Sequence, residues 1–376
     1  MRLLEGVRVL DLTNVLAGPF CCYQLAQLGA DVIKVEMPKS GDLARQLGAD
    51  PDLNSRLMGA SFLAQNAGKR SVTINLKSPA GKEIFLRLAA TADVVVENFR
   101  PEVMDRLDLG YDALKKIKSN LIYCALSGFG QDGPLKDNPA YDQIVQGLSG
   151  IMSVTGDSET APLRVGYPIA DTIGGITAAF AIAAALFRRE RNGQGDFIDV
   201  SMLEATLVTM GWAVSNWLIA RVEPEPMGNE NMTASPSGTF KTRQGLLNIA
   251  ANKQEQFETL CELIGCAALA KDPRYVNRED RKKRRYELKA EIEKALAAKP
   301  AREWSALFNT HGVPAGEVLS VAEVLQHPQV TERGLIKQFL GAPGVDREIA
   351  VVRSGFRLAS GDPAPVTPPP ALGADT

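Results

Sequence analysis

Asp171 is the carboxylate whose neighbours give it scope for chemistry. It follows Tyr167-Pro168 and opens a run that places Gly174 and Gly175 in the first turns of a long helix of small residues. An acid at that point can cap the helix, stabilising it by roughly 1 kcal/mol. It can also act as a nucleophile that a bulky substrate approaches past the glycines. Glycine within a helix costs about 1 kcal/mol against alanine, so close packing or ligand approach has to offset that cost. Tyr141-Asp142 and the loop Ser127-Gly128-Phe129-Gly130 supply further polar, aromatic and flexible residues suited to lining a cleft.

Other chemistries have less to stand on. The chain carries two histidines, His311 and His327, both in loop-like surroundings before Gly312 and Pro328. No G-x-S-x-G elbow accompanies them, and no pair of histidines is spaced for a metal. The five cysteines are irregularly spaced without C-x-x-C and read as reduced, buried thiols. Glu36 ends a predicted strand, but Asn14 to Pro19 lacks the G-x-G-x-x-G that lets a backbone approach a pyrophosphate. The basic run Arg278 to Arg285 is interleaved with acids and reads as a solvated helix face. A net charge of −2 offers no global field for nucleic acid.

These residues need a scaffold, and the 376-residue length with 45% hydrophobic and 23% charged residues suits a globular chain of two domains. Gly6–Leu12 and Ala30–Glu36 read as strands around a helix containing Pro19, a βαβ unit with a parallel sheet. Further strands are predicted at Ser71–Leu76, Asp93–Glu97, Leu121–Leu126 and Phe197–Ser201. Helices are predicted after Pro79, over Asp112–Ile117, and from Met202 through Trp212 and Trp217. Turn formers at Glu223–Gly228 mark a linker to a smaller domain, and the Pro-rich end is expected to lie extended on a surface. The longest apolar run, Ile176–Phe187, reads as too short for a bilayer span, and the start lacks an apolar signal core. The expectation is a cytoplasmic protein without membrane or nucleic-acid partners.

Read in order, several segments resemble the class III CoA-transferases, also called the CaiB/BaiF type. They are Val9–Thr13, Ala17-Gly18-Pro19, Leu28–Glu36, Gly41-Asp42, Asn66 with Lys69–Ser71, Val96–Phe99, Gly110-Tyr111, Tyr141-Asp142, Asp171, Val313–Gly316 and Pro368–Gly373. The resemblance covers nearly the whole chain. It implies an α/β fold, with a Rossmann-like large domain on a parallel sheet and a smaller α+β domain, in an interlocked homodimer. The domains are expected at 1–222 and 223–335, with 336–376 returning to the large domain.

By the same resemblance Asp171 is the nucleophile that carries an acyl group and then CoA, with no metal and no permanently bound cofactor. An ionised carboxylate at neutral pH and oxyanion-binding N–H groups beside the glycines fit that role. CoA is then part of the substrate. Its binding positions carry over to Leu16, Ala17, Ile74, Asn75, Leu76, Lys77, Asn98, Phe99, Arg100 and Arg106, with Tyr141 and Asp142 beside the active centre. Some relatives have Arg where Met37 stands, with Lys39 available to replace its charge. Ala251–Phe257 and the C-terminal residues look more like succinyl-CoA:dicarboxylate members than formyl-CoA transferase, so a small dicarboxylate acceptor is expected. Two alternatives are an α-methylacyl-CoA racemase and a non-catalytic CoA-binding protein. The racemase His falls where Tyr141 stands, and a phenol of pKa near 10 is a poor base for that step.

Overall fold

The computed structural model describes residues 2–376. The chain divides into two compact units. The first comprises residues through Met152, Arg164–Pro224 and Gln329–Thr376, and the second comprises Ser153–Leu163 and Glu225–Pro328. Sequence reading left Ser153–Leu163 in the large domain. Its backbone instead bonds within the second unit, Gly228 N–H donating to the Gly156 carbonyl at 2.6 Å.

The first unit is built on six strands: β1 (Arg8–Asp11), β2 (Asp31–Glu36), β3 (Arg70–Thr73), β4 (Val94–Glu97), β5 (Ile122–Ser127) and β6 (Asp196–Ser201). They lie in the order β3-β2-β1-β4-β5-β6, all parallel. Connections run through helices α1 (Ala17–Gln27), α2 (Pro79–Ala89), α3 (Tyr111–Ile117), α4 (Asp142–Leu148) and α5 (Ile169–Asn192). Helix α6 (Met202–Thr209) follows β6. Alternate strand residues serve opposite faces. Val9, Val94, Val96 and Cys124 pack with Ala178, Ile182 and Leu186 of α5, while Leu10, Val95 and Tyr123 pack with Phe85 of α2 and Leu114 of α3. With both faces covered, the inner strands are buried and apolar almost throughout.

Helix α5 holds two surprises for the sequence reading. Its length and composition are those of a segment able to cross a membrane, more than the run Ile176–Phe187 suggested. One side is nevertheless buried in the core through Ala170, Gly174, Gly175, Ala178, Ile182 and Leu186. The glycines are packing residues. A Cβ at Gly175 would lie 2.5 Å from the Ala17 carbonyl oxygen of α1, and one at Gly174 would lie 2.9 Å from Met202 Cγ.

The helix expected to run from Met202 through both tryptophans is broken. Helix α6 ends at Thr209, a short helix covers Gly211–Ser215, and a π-helical turn covers Asn216–Ala220. Thr206 and Thr209 hydroxyls donate to the carbonyls of Met202 and Thr206 in that stretch, each at 2.8 Å, a pattern that weakens and bends helices.

The C-terminal tail closes over the β3 edge of the first unit. Gly68 N–H donates to the Thr367 carbonyl, Ser71 N–H to Asp375, and the buried Arg45 guanidinium to the Pro370 carbonyl. A two-stranded antiparallel ribbon, β10 (Ile336–Phe339) with β11 (Ile349–Val352), also belongs to this unit.

The second unit packs helices against an antiparallel sheet of β7 (Ser237–Lys241), β8 (Leu246–Ala250) and β9 (Ala315–Glu317). Phe257, Leu260, Leu288, Ile292, Trp304 and Phe308 form its core. The basic run is an anchor here as well as a solvated face. Arg281 is buried over the Phe257 ring and donates to the carbonyls of Ser235 and Tyr275, while Arg278 and Arg285 donate to those of Thr233 and Asn231.

The contact at Gly175 sets a test. Gly175→Ala is expected to lower stability by about 1–3 kcal/mol in denaturant unfolding, because a backbone carbonyl cannot move aside as a side chain can. Gly211→Ala, where a Cβ meets nothing within 4 Å, is expected to show no such loss.

Candidate active site

Five of the functional segments read from the sequence follow carboxyl ends of parallel strands. In a doubly wound sheet the connections from β1 and β4 leave toward opposite faces, which opens a crevice beyond their carboxyl ends. A cavity of about 230 Å³ lies there. Asn14, Val15, Leu16 and Ala17 enter it after β1, Asn98 and Arg100 after β4, and Leu126, Ser127 and Gly128 from the end of β5. Met202 after β6 and the segment Pro139-Ala140-Tyr141 complete the lining with Asp171.

Asp171 is not the helix cap. Helix α5 starts one residue after Pro168, which places Asp171 in the third helical position. The cap comes from elsewhere in the chain. Asp142 Oδ1 accepts the N–H of Ala170 at 2.9 Å and that of Asp171 at 3.4 Å. Asp142 is buried and held in turn by Gln146, whose Nε2 donates to Asp142 Oδ2 at 2.7 Å. The Gln146 side chain also accepts the Val165 N–H and donates to the Tyr167 carbonyl, so it pins the approach to α5 at both faces of its amide. The Asp171 carboxylate itself has no hydrogen-bond partner among the described residues.

Burial, and secondly the negative charge of Asp142, push the Asp171 carboxyl up to about 7. The charged form is disfavoured relative to an ordinary carboxylate, because the site removes water from it without supplying hydrogen-bond donors.

The first cavity loop is tightly held. Asn98 clamps Asn14, accepting its N–H at 2.8 Å and donating to its carbonyl at 2.9 Å. Val15 has φ +67°, a left-handed conformation that costs a β-branched residue roughly 1–3 kcal/mol. Its N–H donates to Asp42 Oδ1 at 2.9 Å, and a bond to a charged acceptor contributes about 1.5–3 kcal/mol. Asp42 pairs with Lys34 at 2.9 Å, and Lys34 Nζ donates to the Thr13 carbonyl at 2.7 Å. Asp11 pairs with Lys69 at 2.8 Å, and Glu36 with Arg45 at 2.7 Å, all in the interior. Burial works against the charge on Asp11, yet Lys34 and Lys69 hold its carboxyl below the ordinary range. Glu97, at the end of β4, accepts the Phe99 N–H at 2.7 Å and thereby shapes the turn that presents Asn98; burial raises its carboxyl to about 8.

Of the residues singled out in the sequence, the cavity brings together Leu16, Ala17, Asn98, Arg100, Ser127, Gly128, Tyr141 and Asp171. Asp142 lies behind them as the cap. Lys39 follows β2 and is exposed, and Ile74, Asn75, Leu76 and Lys77 follow β3; none of these lines the cavity. Ile74 belongs to the core with Phe99 packed against it. Arg106 is exposed, 3.7 Å from Glu102. Sequence reading passed over Asn14, Val15, Leu126, Pro139, Ala140 and Met202, whose types carry no chemical signal and which only the strand ends assemble.

Comparison with known proteins decides the family. The model of CoA-transferase family III matches residues 4–376. The chain belongs to that family. It is 42% identical to the acetyl-CoA:oxalate CoA-transferase of Acetobacter aceti, over 88% of this chain and 85% of the relative. It is 36% identical to the succinyl-CoA:glutarate CoA-transferase of Mus musculus, over 100% of this chain and 85% of that one. A crystal structure of a CaiB/BaiF family protein from Brucella suis superposes with a TM-score of 0.86 at 33% identity, covering 100% of this chain and 97% of the other. This family III protein is therefore an acyl-CoA:carboxylate CoA-transferase, with CoA as a moiety of its substrates.

The raised Asp171 carboxyl gives the family III fold a pH-dependent cost. The folded value of about 7 lies above the ordinary 3.8. Folding therefore binds a proton, and the stability this contributes is present below about pH 4 and lost as pH rises through 7. Asp171→Asn has no charge to desolvate. At pH 8 it is expected to be more stable than the natural chain by ~1 kcal/mol or more, with the gap closing by pH 4. Denaturant unfolding at the two pH values measures it.

Proposed function

We propose that Asp171 is the covalent nucleophile of CoA exchange. Its carboxylate attacks the thioester carbonyl of the donor, the C–S bond breaks, and CoA leaves as thiolate from a mixed anhydride. The thiolate then attacks the aspartyl carbonyl and releases the donor acid, leaving an aspartyl-CoA thioester. The acceptor carboxylate attacks that thioester and expels CoA thiolate, forming a second anhydride. The thiolate attacks the acceptor's acyl carbon, which yields the new acyl-CoA and frees Asp171. Each exchange replaces one difficult transfer between two bound acids with acyl transfers at a single fixed group.

The observation that carries this reading is a carboxylate facing a crevice with no partner of its own. A desolvated, unbonded carboxylate is a stronger nucleophile than one quenched by donors. CoA runs, in this reading, along the carboxyl ends of the strands, with Leu16, Ala17, Asn98 and Arg100 near the thioester. Lys39, the segment Ile74–Lys77, Phe99 and Arg106 serve the nucleotide end, where cations after β2 to β4 can meet phosphates. The acceptor is a small dicarboxylate, in keeping with the oxalate and glutarate enzymes among the relatives, with succinyl-CoA as one donor. The large domain, the unit of residues through Met152 with Arg164–Pro224 and Gln329–Thr376, holds this site.

The working form is an interlocked homodimer. Val208, Trp212 and Ile219 are 79%, 75% and 83% exposed in the single chain, and Phe180 of α5 is 74% exposed. Large apolar side chains clustered in two adjoining stretches mark a surface that association covers. Light scattering at micromolar concentration is expected to give twice the chain mass; a monomer there would sink the dimer.

Asp171→Ala is expected to abolish exchange while remaining folded. Intact-protein mass spectrometry of the natural chain after acyl-CoA addition is expected to show an acyl or CoA adduct that maps to Asp171. For the natural chain kcat/KM for acyl-CoA should fall on acidification with a midpoint of about 7, since attack requires the ionised form. Full exchange by Asp171→Ala, or α-deuteration of a 2-methylacyl-CoA in heavy water without exchange, would replace this mechanism.

A further inference from the structure

We infer that Asp42 is a positioning residue for acyl-CoA binding: a buried carboxylate outside the cavity that holds Val15 in its left-handed conformation and so sets the shape of the first cavity loop. The inference rests on reading this cavity as the acyl-CoA site.

The geometry runs in one direction, from interior to cavity. Asp42 is 1% exposed and is absent from the cavity lining, whereas Asn14, Val15, Leu16 and Ala17 all line it. A valine with φ +67° returns to extended backbone unless its surroundings prevent it. Four bonds prevent it. Asn98 fixes the residue before Val15 through both its N–H and its carbonyl. Lys34 fixes the Thr13 carbonyl. The Val15 N–H itself reaches Asp42 Oδ1. That oxygen also accepts the Ala44 N–H at 2.9 Å, and the Asp42 N–H donates to Glu36 Oε2 at 2.9 Å, so the acceptor cannot follow the loop if it shifts.

The turn at Val15 also delivers Leu16 as the residue capping α1, whose next residue, Ala17, meets α5 at Gly175. A change at Asp42 is therefore transmitted to the residues that face the donor, without Asp42 touching it. Glycine at position 15 would adopt the same backbone freely, so valine there keeps the loop dependent on its partners.

Two charge-balanced variants compare the loop with and without the Asp42 acceptor, which serves both the Val15 and the Ala44 N–H; glycine at position 15 then separates the Val15 bond from the Ala44 bond. Lys34→Met/Asp42→Asn and Lys34→Met/Asp42→Ala each remove one positive and one negative charge from the interior. Only the first keeps an oxygen for the Val15 N–H. The Ala variant is expected to show a KM for acyl-CoA, and a calorimetric Kd for CoA, at least tenfold above the Asn variant, with kcat alike in the two. Adding Val15→Gly to the Ala variant is expected to recover at least threefold of that loss, which general destabilisation would not do. Equal KM and Kd in the two double variants, or no recovery with glycine, overturns the inference.

If the double variants fail to fold, Val15→Gly alone carries the test. A higher Tm supports the held, strained loop and a lower Tm overturns it. A natural chain that binds CoA yet exchanges none would sink the transferase mechanism and leave the Kd comparison standing.

Discussion

The N–H groups at the start of α5 can satisfy only so many acceptors, and Asp142 takes them. This one interaction decides the character of the site. Had the helix been capped by its own acid, Asp171 would be a bonded, well-ionised carboxylate like many others at helix starts. Because Asp142 arrives from another segment and occupies Ala170 and Asp171 N–H, Asp171 is left desolvated and unpaired beside a second negative charge. Its raised carboxyl and its lack of hydrogen-bond partners are two faces of one arrangement, and the fold bears the cost in stability.

The surroundings are correspondingly stiff. Gln146 secures Asp142 and the chain leading into α5. The opposite wall of the cavity hangs on a buried set of three acids and three bases, Asp11, Glu36 and Asp42 with Lys34, Arg45 and Lys69. Such a set adds little net stability, because desolvation offsets most of the attraction, but loss of one member is severe, about 3–5 kcal/mol. What it contributes is a fixed geometry. Arg45 extends the same set to the C-terminal tail through the Pro370 carbonyl, so the last residues of the chain share an anchor with the first cavity loop.

Much of the scaffold was legible because parallel strands covered on both faces read as apolar runs, and Val94–Val96 is an example. What was not legible has equally specific causes. Gly174 and Gly175 left close packing and substrate approach both open, since a missing Cβ looks the same in sequence whether ligand, Met202 or the α1 backbone fills the space. The helix after Met202 carried no proline to announce its break, and Arg281 sat in a run whose other charges are exposed or only partly covered, so its burial left no mark. Asn14, Met202 and Ala140 have no chemical signature at all.

The succession of strands and helices along the first unit, the class of the fold and the family were legible in the sequence alone, since each depends on local pattern or on motifs in a fixed order. Only the tertiary structure decided the character of Asp171. Capping, desolvation and the neighbouring charge come from Asp142, Gln146 and strand ends far away along the chain, and a carboxylate's proton affinity depends on what surrounds it in space.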